Sequence, residues 1–215
     1  MTSKIKIAII LILFLIKNSY TQSEKWSIYD LDSIVSLKMP FAVYEIDTII
    51  KYNKLYQIYS ENNSSKFVAQ KLSFGQLYAN IEVPPLPKSA KELKKMYLNA
   101  VAILNEMIQH NLNYEEPIKK NNLDGYKVIY NDTLGNKVQQ THLFFVNKNL
   151  YSFSSFNENG INGVDNSVYF NSITFNNDFE LAQYPKIMMS FQKKTFLILV
   201  IVLFLSFIFR YLSKR

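Results

Sequence analysis

The chain has 215 residues, of which 48% are hydrophobic, and 24 Lys and Arg against 17 Asp and Glu give a net charge of +7. The high aromatic content, 15 Tyr and 16 Phe, excludes an intrinsically disordered chain. With no cysteine in the sequence, disulfides, thiol chemistry and a cysteine-linked lipid anchor are excluded.

The basic charge is concentrated near the two ends of the chain. Residues 1–22 hold three and residues 186–215 hold six of the 24 Lys and Arg, which leaves 15 bases against all 17 acids in residues 23–185. Both arginines, Arg210 and Arg215, lie in the last of these segments. Because arginine supplies the bidentate contacts to phosphates and base edges, we expect no nucleic-acid partner.

Residues 1–21 predict a secretory signal peptide. Lys4 and Lys6 precede ten apolar residues, 7–16, and Ser19 and Thr21 are small residues of the kind found before a cleavage site. We expect cleavage after Thr21. An uncleaved anchor is the alternative, although ten helical residues span only about 15 Å of a hydrocarbon layer of roughly 30 Å.

The first part of the following domain predicts strands. Residues 33–39 alternate partly and end at Pro40, which cannot donate to a sheet ladder. Residues 54–60 and 66–74 predict a hairpin, because the Asn and Ser residues between them favour a turn. Residues 76–83 predict a further strand that ends at a proline-rich stretch.

Residues 89–112 predict a long amphipathic helix. Ser89 and Glu92 have the spacing of a capping box. Apolar residues then recur at steps of three and four, as one buried stripe requires: Leu93, Tyr97, Ala100, Val101, Leu104, Met107 and Ile108.

The second half of the domain predicts an antiparallel meander. After a polar link, residues 113–122, Asp124 and Gly125 indicate a tight turn. Three strands joined by short connections follow: residues 126–131, 137–146 and 150–156. Residues 164–172 predict a short helix and residues 173–175 a last strand. The fold class is therefore α+β, an antiparallel β-sheet packed by one long and one short helix.

Residues 195–212 predict a transmembrane helix. Thirteen of the 15 residues 195–209 are Leu, Ile, Val or Phe, whose insertion gains roughly 4–8 kcal/mol. A buried core helix is the alternative, but such a helix would carry a polar stripe. Together with the signal peptide, this helix predicts an exported domain, a stalk, a membrane span and a cytoplasmic tail: residues 22–178, 179–194, 195–212 and 213–215. The domain would face the periplasm or the extracellular side.

The order of elements resembles the PsbP-like family of α/β/α sandwiches. The resemblance rests on Met39-Pro40-Phe41, on the glycine-led strand that starts at Leu123-Asp-Gly-Tyr126, on residues 144–151 and on the closing Asn-Ser-Ile-Thr-Phe175. Members of that family include a photosystem II extrinsic subunit, a nuclear-transport regulator and exported bacterial proteins. The resemblance implies a fold but no active-site residue, because fold does not carry function. The predicted C-terminal membrane helix departs from the soluble members.

The candidate chemical residues are few and dispersed. His110 is expected near the end of the long helix and His142 in a strand, and neither has a second histidine nearby for a metal site. Asp30 and Asp32 would share a face of an extended segment. Glu115 and Glu116 would point apart on a strand.

The remaining patterns indicate no ligand. The loop 155–160 has oxygen-bearing side chains at alternate positions, but Asn166 stands where a calcium loop needs a bidentate glutamate, so we interpret it as a hinge. Asn62, Asn63 and Asn131 begin Asn-x-Ser/Thr triplets that are attributed to chance. We therefore predict no catalytic, cofactor-binding or metal-binding residue.

The function expected from these observations is that of a binding or accessory module at the outer face of a membrane, with another envelope protein as partner. An envelope hydrolase with a dispersed active site and a structural or assembly factor are the alternatives. A deep pocket with converging polar groups would favour the enzyme, and a flat aromatic patch would favour the binding module. The wealth of Asn, Ile, Lys and Tyr indicates an AT-rich genome and a bacterial envelope, with a eukaryotic secretory pathway as the alternative.

Overall fold

The computed structural model describes most of the domain between the two terminal segments, namely residues 26–40, 42–50, 53–62, 64–74, 87–108, 110–161 and 163–184. The predicted signal peptide, the strand predicted at residues 76–83 and the predicted membrane helix at residues 195–212 lie outside them. Among the residues that are described, no helix is both long and apolar enough to cross a membrane.

Ten strands and two helices make up this part of the chain. In chain order they are β1 (Ser27–Asp30), β2 (Val35–Met39), β3 (Tyr44–Ile50), β4 (Asn53–Asn62), β5 (Ser65–Ser73), α1 (Ala90–Met107), β6 (Asn111–Lys120), β7 (Leu123–Asn131), β8 (Lys137–Val146), β9 (Asn149–Phe156), α2 (Gly163–Ser172) and β10 (Thr174–Phe175).

The strands form two antiparallel sheets. The large sheet has seven strands in the order β3-β4-β5-β9-β8-β7-β6, and the small one has three in the order β1-β2-β10. Every pair of neighbours in the large sheet is antiparallel. The predicted α+β class with an antiparallel sheet, a long helix and a short helix is confirmed.

Helix α1 covers one face of the large sheet. The Ser89 hydroxyl accepts the Glu92 amide at 3.3 Å, and the Glu92 carboxylate accepts the Lys88 amide at 2.8 Å, so the first turn is capped. Its buried stripe lies against strands β4, β5, β7, β8 and β9; the stripe residues are Leu93, Tyr97, Val101 and Leu104. Burial of each such side chain contributes about 1.5–3 kcal/mol.

Helix α2 and the small sheet cover the opposite face. Phe67 and Phe153 of the large sheet, Leu37 of β2 and Tyr169 of α2 belong to one buried cluster. The Tyr169 hydroxyl donates to the Val68 carbonyl at 2.7 Å, which ties α2 to β5. The large sheet is thus enclosed between two layers.

The sequence prediction was wrong between residues 108 and 125. Helix α1 ends at Met107, and the predicted polar link is the edge strand β6. Asp124 and Gly125 lie within β7, while the tight turn is made by Asn121 and Asn122, whose φ angles are 49° and 61°. Two positive φ angles define the hairpin turn whose twist matches the strands, and asparagine tolerates them.

The sequence prediction missed three strands, all of them at sheet edges. β1 is short and half exposed, and β6, which was interpreted as a loop, has mostly exposed side chains, whereas β3 alternates between apolar and acidic residues and was overlooked. Only the ladder to a neighbouring strand identifies such segments, and that ladder is a long-range property.

The chain after β10 stays attached to the domain up to Tyr184. Asn147 and Ala182 exchange two hydrogen bonds of 2.8 Å. The buried Gln183 side chain accepts the Asp124 amide at 2.7 Å and donates to the carbonyls of Asp124 and Phe145 at 2.7 and 3.0 Å. The compact unit therefore continues to Tyr184, six residues past the predicted domain end at residue 178.

Candidate functional site

A groove of about 410 Å³ lies between helix α2 and the strands β6, β7 and β8. It opens to solvent on one side. Its polar lining comes from all four elements: Lys120, Lys127, Gln140, His142, Asn166 and Asn171. Ile118, Phe144 and Phe170 supply its apolar lining. We call this the α2 groove.

The strand register explains why polar residues meet there. Across the large sheet, successive partners on this face are Ile58, Ala69, Phe153, His142, Lys127 and Glu116. The first three are buried in the core. Of the last three, His142 is polar, and Lys127 and Glu116, which we call the charged row, lie on the two strands at the β6 edge of the sheet, so one line of neighbours changes from apolar to polar at β8.

Lys127 and Glu116 form an ion pair within the charged row. Lys127 Nζ lies 2.8 Å from Glu116 Oε1, and the two side chains are 24% and 33% exposed. The Tyr114 hydroxyl donates to the other carboxylate oxygen at 2.6 Å. The hydrogen bonds from Lys127 and then Tyr114 lower the pKa of Glu116. A pair this exposed contributes little to stability, so its main effect is to orient the lysine.

Lys120 joins strand β6 to the end of helix α2. Its Nζ donates to the carbonyls of Phe170 and Asn171 at 2.7 and 3.2 Å. A cation at this end satisfies carbonyls that have no partner within the helix and complements the helix dipole. Burial lowers the pKa of Lys120.

His142 is a neutral histidine surrounded by lysines. Its ring lies 4.0 Å, centroid to centroid, from the Phe170 ring. The Nε2 of His142 is 2.8 Å from the side-chain amide nitrogen of Gln140, which can only donate. His142 Nε2 is therefore the acceptor, and Nδ1 of the ring carries the proton. Burial first, and then Lys127, Lys120 and Lys137, lower the pKa of His142 to about 3. The imidazole is therefore uncharged near neutral pH.

Gln140 connects the groove to its surroundings. Its Oε1 accepts from Lys137 Nζ and, at 3.1 Å, from Asn166 Nδ2. Asn166 Oδ1 in turn accepts from the Ser155 hydroxyl. This chain of contacts ties α2 to β8 and β9 beside the groove.

The structure brings together only part of what the sequence singled out. His142 and Glu116 are the two register partners of Lys127 on the neighbouring strands. Glu115 points to the face of the sheet that α1 covers. There the burial of Tyr126, and then the Glu115 carboxylate, raise the pKa of Tyr126. His110 lies beyond the end of α1, with its ring centroid 5.8 Å from that of Phe156, so the predicted position at the helix end is wrong.

Asp30 and Asp32 do not form a joint site. Asp30 is exposed at the end of β1, whereas Asp32 is half-buried in the turn before β2. Its carboxylate accepts the amides of residues 34 and 35, each at 2.8 Å, the Tyr151 hydroxyl at 2.8 Å and Lys71 Nζ at 2.7 Å. Burial acts to raise the pKa of Asp32, but the hydrogen bonds from Lys71, Tyr151 and the two amides outweigh it. Asp32 is a structural anchor.

The loop predicted to be a hinge is a turn fixed by asparagine. Asn157 Nδ2 donates to the Ser65 hydroxyl at 2.9 Å, and its Oδ1 accepts the amide of Asn159 at 2.9 Å. Two asparagines of the Asn-x-Ser/Thr triplets are described by the structure. Asn62 is buried, and the side-chain amide of Asn131 donates to the Gly135 carbonyl. Asn63 lies outside the described residues. Within the described part of the chain, no three His, Asp or Glu side chains are placed to hold a metal ion.

Sequence reasoning missed Lys119, Lys120 and Lys127, the three lysines that line the groove. Lys119 and Lys120 fall in the segment predicted to be a polar link, and although Lys127 falls in a predicted strand, its face and its partner strands depend on long-range register. The comparisons add no relative to this picture: no protein-family model matches the chain, and no curated protein sequence matches it significantly.

Proposed function

We propose that this protein is a binding module held at the outer face of a membrane, and that the α2 groove is its binding site. The observation that carries the proposal is the convergence of polar side chains from β6, β7, β8 and α2 in one cleft, beside the buried Ile58, Ala69 and Phe153 of the same sheet face. A cleft with convergent polar groups is the usual place where ligands bind.

Binding is favoured over catalysis by the state of His142. A general base works best when its pKa is close to the operating pH. The pKa of His142 is lowered to about 3, so near neutral pH the ring is not an imidazolium that could act as an acid, and it would accept a further proton only weakly. The groove is also open rather than a deep pocket, which speaks against the envelope hydrolase.

The membrane address is part of the proposal and rests on sequence. The signal peptide at residues 1–21 and the apolar helix at residues 195–212 together would place the domain outside and residues 213–215 inside. The PsbP-like resemblance is likewise proposed. It is supported by an antiparallel sheet with α1 on one face and α2 on the other.

A cysteine-labelling experiment tests the topology. Because the chain has no cysteine, a single one can be introduced without background. Glu158→Cys is at an exposed position of the domain, and Ser213→Cys lies in the predicted tail. In intact spheroplasts we expect a membrane-impermeant maleimide to label the first variant, and the second only after permeabilisation. Labelling in the reverse order would refute the outward-facing domain.

A crosslinking experiment tests the groove. Ser167→Cys lies on the exposed side of α2 at the groove, and Leu134→Cys lies in a turn elsewhere, at a residue that is 84% exposed. Both variants are treated in intact cells with a short heterobifunctional crosslinker. We expect an adduct of defined mass from Ser167→Cys alone. Equal adduct patterns from both positions would show that the groove is no preferred contact site.

A further inference from the structure

We propose that the α2 groove takes a small organic anion, one that carries a carboxylate or phosphate next to an apolar portion. This inference rests on the proposed function and names the ligand class of the same site. It follows from the charges, the remaining hydrogen-bond donors and the apolar lining of the groove.

The charges around the groove favour an anion. Lys119, Lys120 and Lys127 line it. Lys137 is bonded to Gln140 of the lining, and Glu116 is the acid in contact with Lys127. Lys119, at the rim, lies 3.6 Å from Asp124 in an exposed pair. Asp165 is buried in the first turn of α2 and Glu115 faces α1.

This local excess of lysine contrasts with the rest of the domain. Residues 23–185 carry 15 bases and 17 acids, so the domain as a whole is slightly acidic. A cationic cleft in an acidic domain attracts small anions by its local field, while the overall charge disfavours a polyanion such as a nucleic acid.

Lys120 and Lys127 retain donors for a ligand. A lysine ammonium group has three N–H donors. Lys120 gives two of them to carbonyls of α2, and Lys127 gives one to Glu116. The neutral ring of His142 adds an uncharged polar group at the floor of the groove. A lysine binds carboxylate or phosphate as a point charge and does not need the planar geometry that arginine requires.

The apolar lining of the groove favours a ligand that has an apolar portion next to its anionic group. Phe144, Phe170 and Ile118 lie beside the lysines, and Gly125 on β7 makes the position of Phe144 possible. A Cβ atom added at Gly125 would lie 2.4 Å from Phe144 Cε1. A volume of about 410 Å³ is in the range of small-molecule sites, so an anion with an aromatic or short aliphatic part fits.

The test uses fluorine NMR on the full chain in nanodiscs of neutral phosphatidylcholine. The three probes share one ring and differ in the polar group: 4-fluorophenyl phosphate, 4-fluorobenzoate and 4-fluorobenzyl alcohol. Empty nanodiscs serve as the blank. We expect line broadening of one or both anions and none of the alcohol. The anion that broadens more identifies phosphate or carboxylate as the preferred group.

Two variants of opposite effect keep the test independent of folding. Lys127→Gln removes a cation and should weaken binding of the anion on the order of fivefold, whereas Glu116→Gln removes the competing acid and should strengthen it by a similar factor. Lys148→Gln, in the exposed turn between β8 and β9, is the matched control and should change nothing. Circular dichroism shows which variants are folded.

Two results would overturn the inference: equal broadening of all three probes, or changes of the same sign in Lys127→Gln and Glu116→Gln. Such a failure leaves the proposed function in place if the labelling and crosslinking experiments succeed. Conversely, a domain labelled from the cytoplasmic side would refute the membrane address while anion binding to the groove still held.

Discussion

The two faces of the seven-stranded sheet are covered in different ways. On one face, the 18 residues of α1 close a core with Leu93, Tyr97, Val101 and Leu104. On the other, the 10 residues of α2 bury Tyr169 and Phe170 but leave a polar groove over β6, β7 and β8. A long amphipathic helix seals a sheet, whereas a short helix held by two aromatic anchors leaves room beside it for a ligand.

The largest expected effect concerns the anchor of α2. Tyr169→Ala removes a fully buried ring that lies 5.1 Å from the Phe67 ring and a hydroxyl bonded to Val68. We expect a loss of about 3–5 kcal/mol in the free energy of unfolding.

The single tryptophan, Trp26, packs on Phe67 and reports urea unfolding on this face. Val164→Ala, at an exposed position of the same helix, should change stability by less than about 0.5 kcal/mol. Equal effects of the two variants would mean that the anchor is not what holds α2.

The next effect is a pH dependence of the free energy of unfolding that arises from His142 in the groove. The pKa of His142 is lowered from 6.5 to about 3, so the unfolded chain binds a proton that the folded chain does not. The contribution of His142 to the free energy of unfolding is therefore fully present above pH 6.5. It falls as the pH drops toward 3, by up to about 1.4 kcal/mol per pH unit. Urea titrations at pH 7, 5.5 and 4.5 measure this slope. His142→Gln should flatten it and His110→Gln should not; parallel curves for all three proteins would contradict the assignment.

A smaller effect is expected from removal of the Tyr97 hydroxyl, which bonds α1 to the backbone of the large sheet. Tyr97 accepts the Phe145 amide and donates to the Asp124 carbonyl, each at 2.8 Å. It thereby bridges β7 and β8 beyond the last pair of their ladder, Gly125 with Phe144. Tyr97→Phe leaves a buried amide without this partner and should cost about 1–3 kcal/mol by urea denaturation. Tyr44→Phe, at a half-exposed ring, should cost less than about 0.5 kcal/mol. Similar losses in both would show that the bridge is dispensable.

The smallest effect is at the start of α1. Ser89→Ala removes the oxygen that accepts the Glu92 amide and should cost about 1 kcal/mol, because an N-cap supplies that much on average. Ser89→Asp should restore stability, since aspartate is an equally good cap. Thermal unfolding followed by far-UV circular dichroism measures both. If the aspartate variant is as unstable as the alanine variant, the cap is not the cause of the loss.

Local signals predicted the elements that face a core. Ser89 with Glu92 marked the start of α1, and the strands β4, β5, β8 and β9 were predicted within a few residues of their bounds. Each of these elements carries its own apolar periodicity and ends at turn residues. The edge strand β6 carries neither signal, since its residues 111–115 are exposed.

The groove could not be predicted because its members are far apart in sequence. Glu116, Lys127 and His142 become neighbours only through the registers of β6 with β7 and of β7 with β8. A shift of one residue in either register would turn a side chain to the other face. Gln183 shows the same dependence, since its role as a bridge between Asp124 and Phe145 follows from the path of the chain after β10.

By itself the sequence determined the α+β class, the capped helix α1 and the hairpins whose turns are rich in Asn, because propensity, periodicity and turn chemistry act within a few residues. Only the tertiary structure decided which strands form the edges, which face of the sheet each helix covers and that two lysines and a histidine meet at α2. These features depend on strand pairing over long sequence separations, where no local preference discriminates one partner from another.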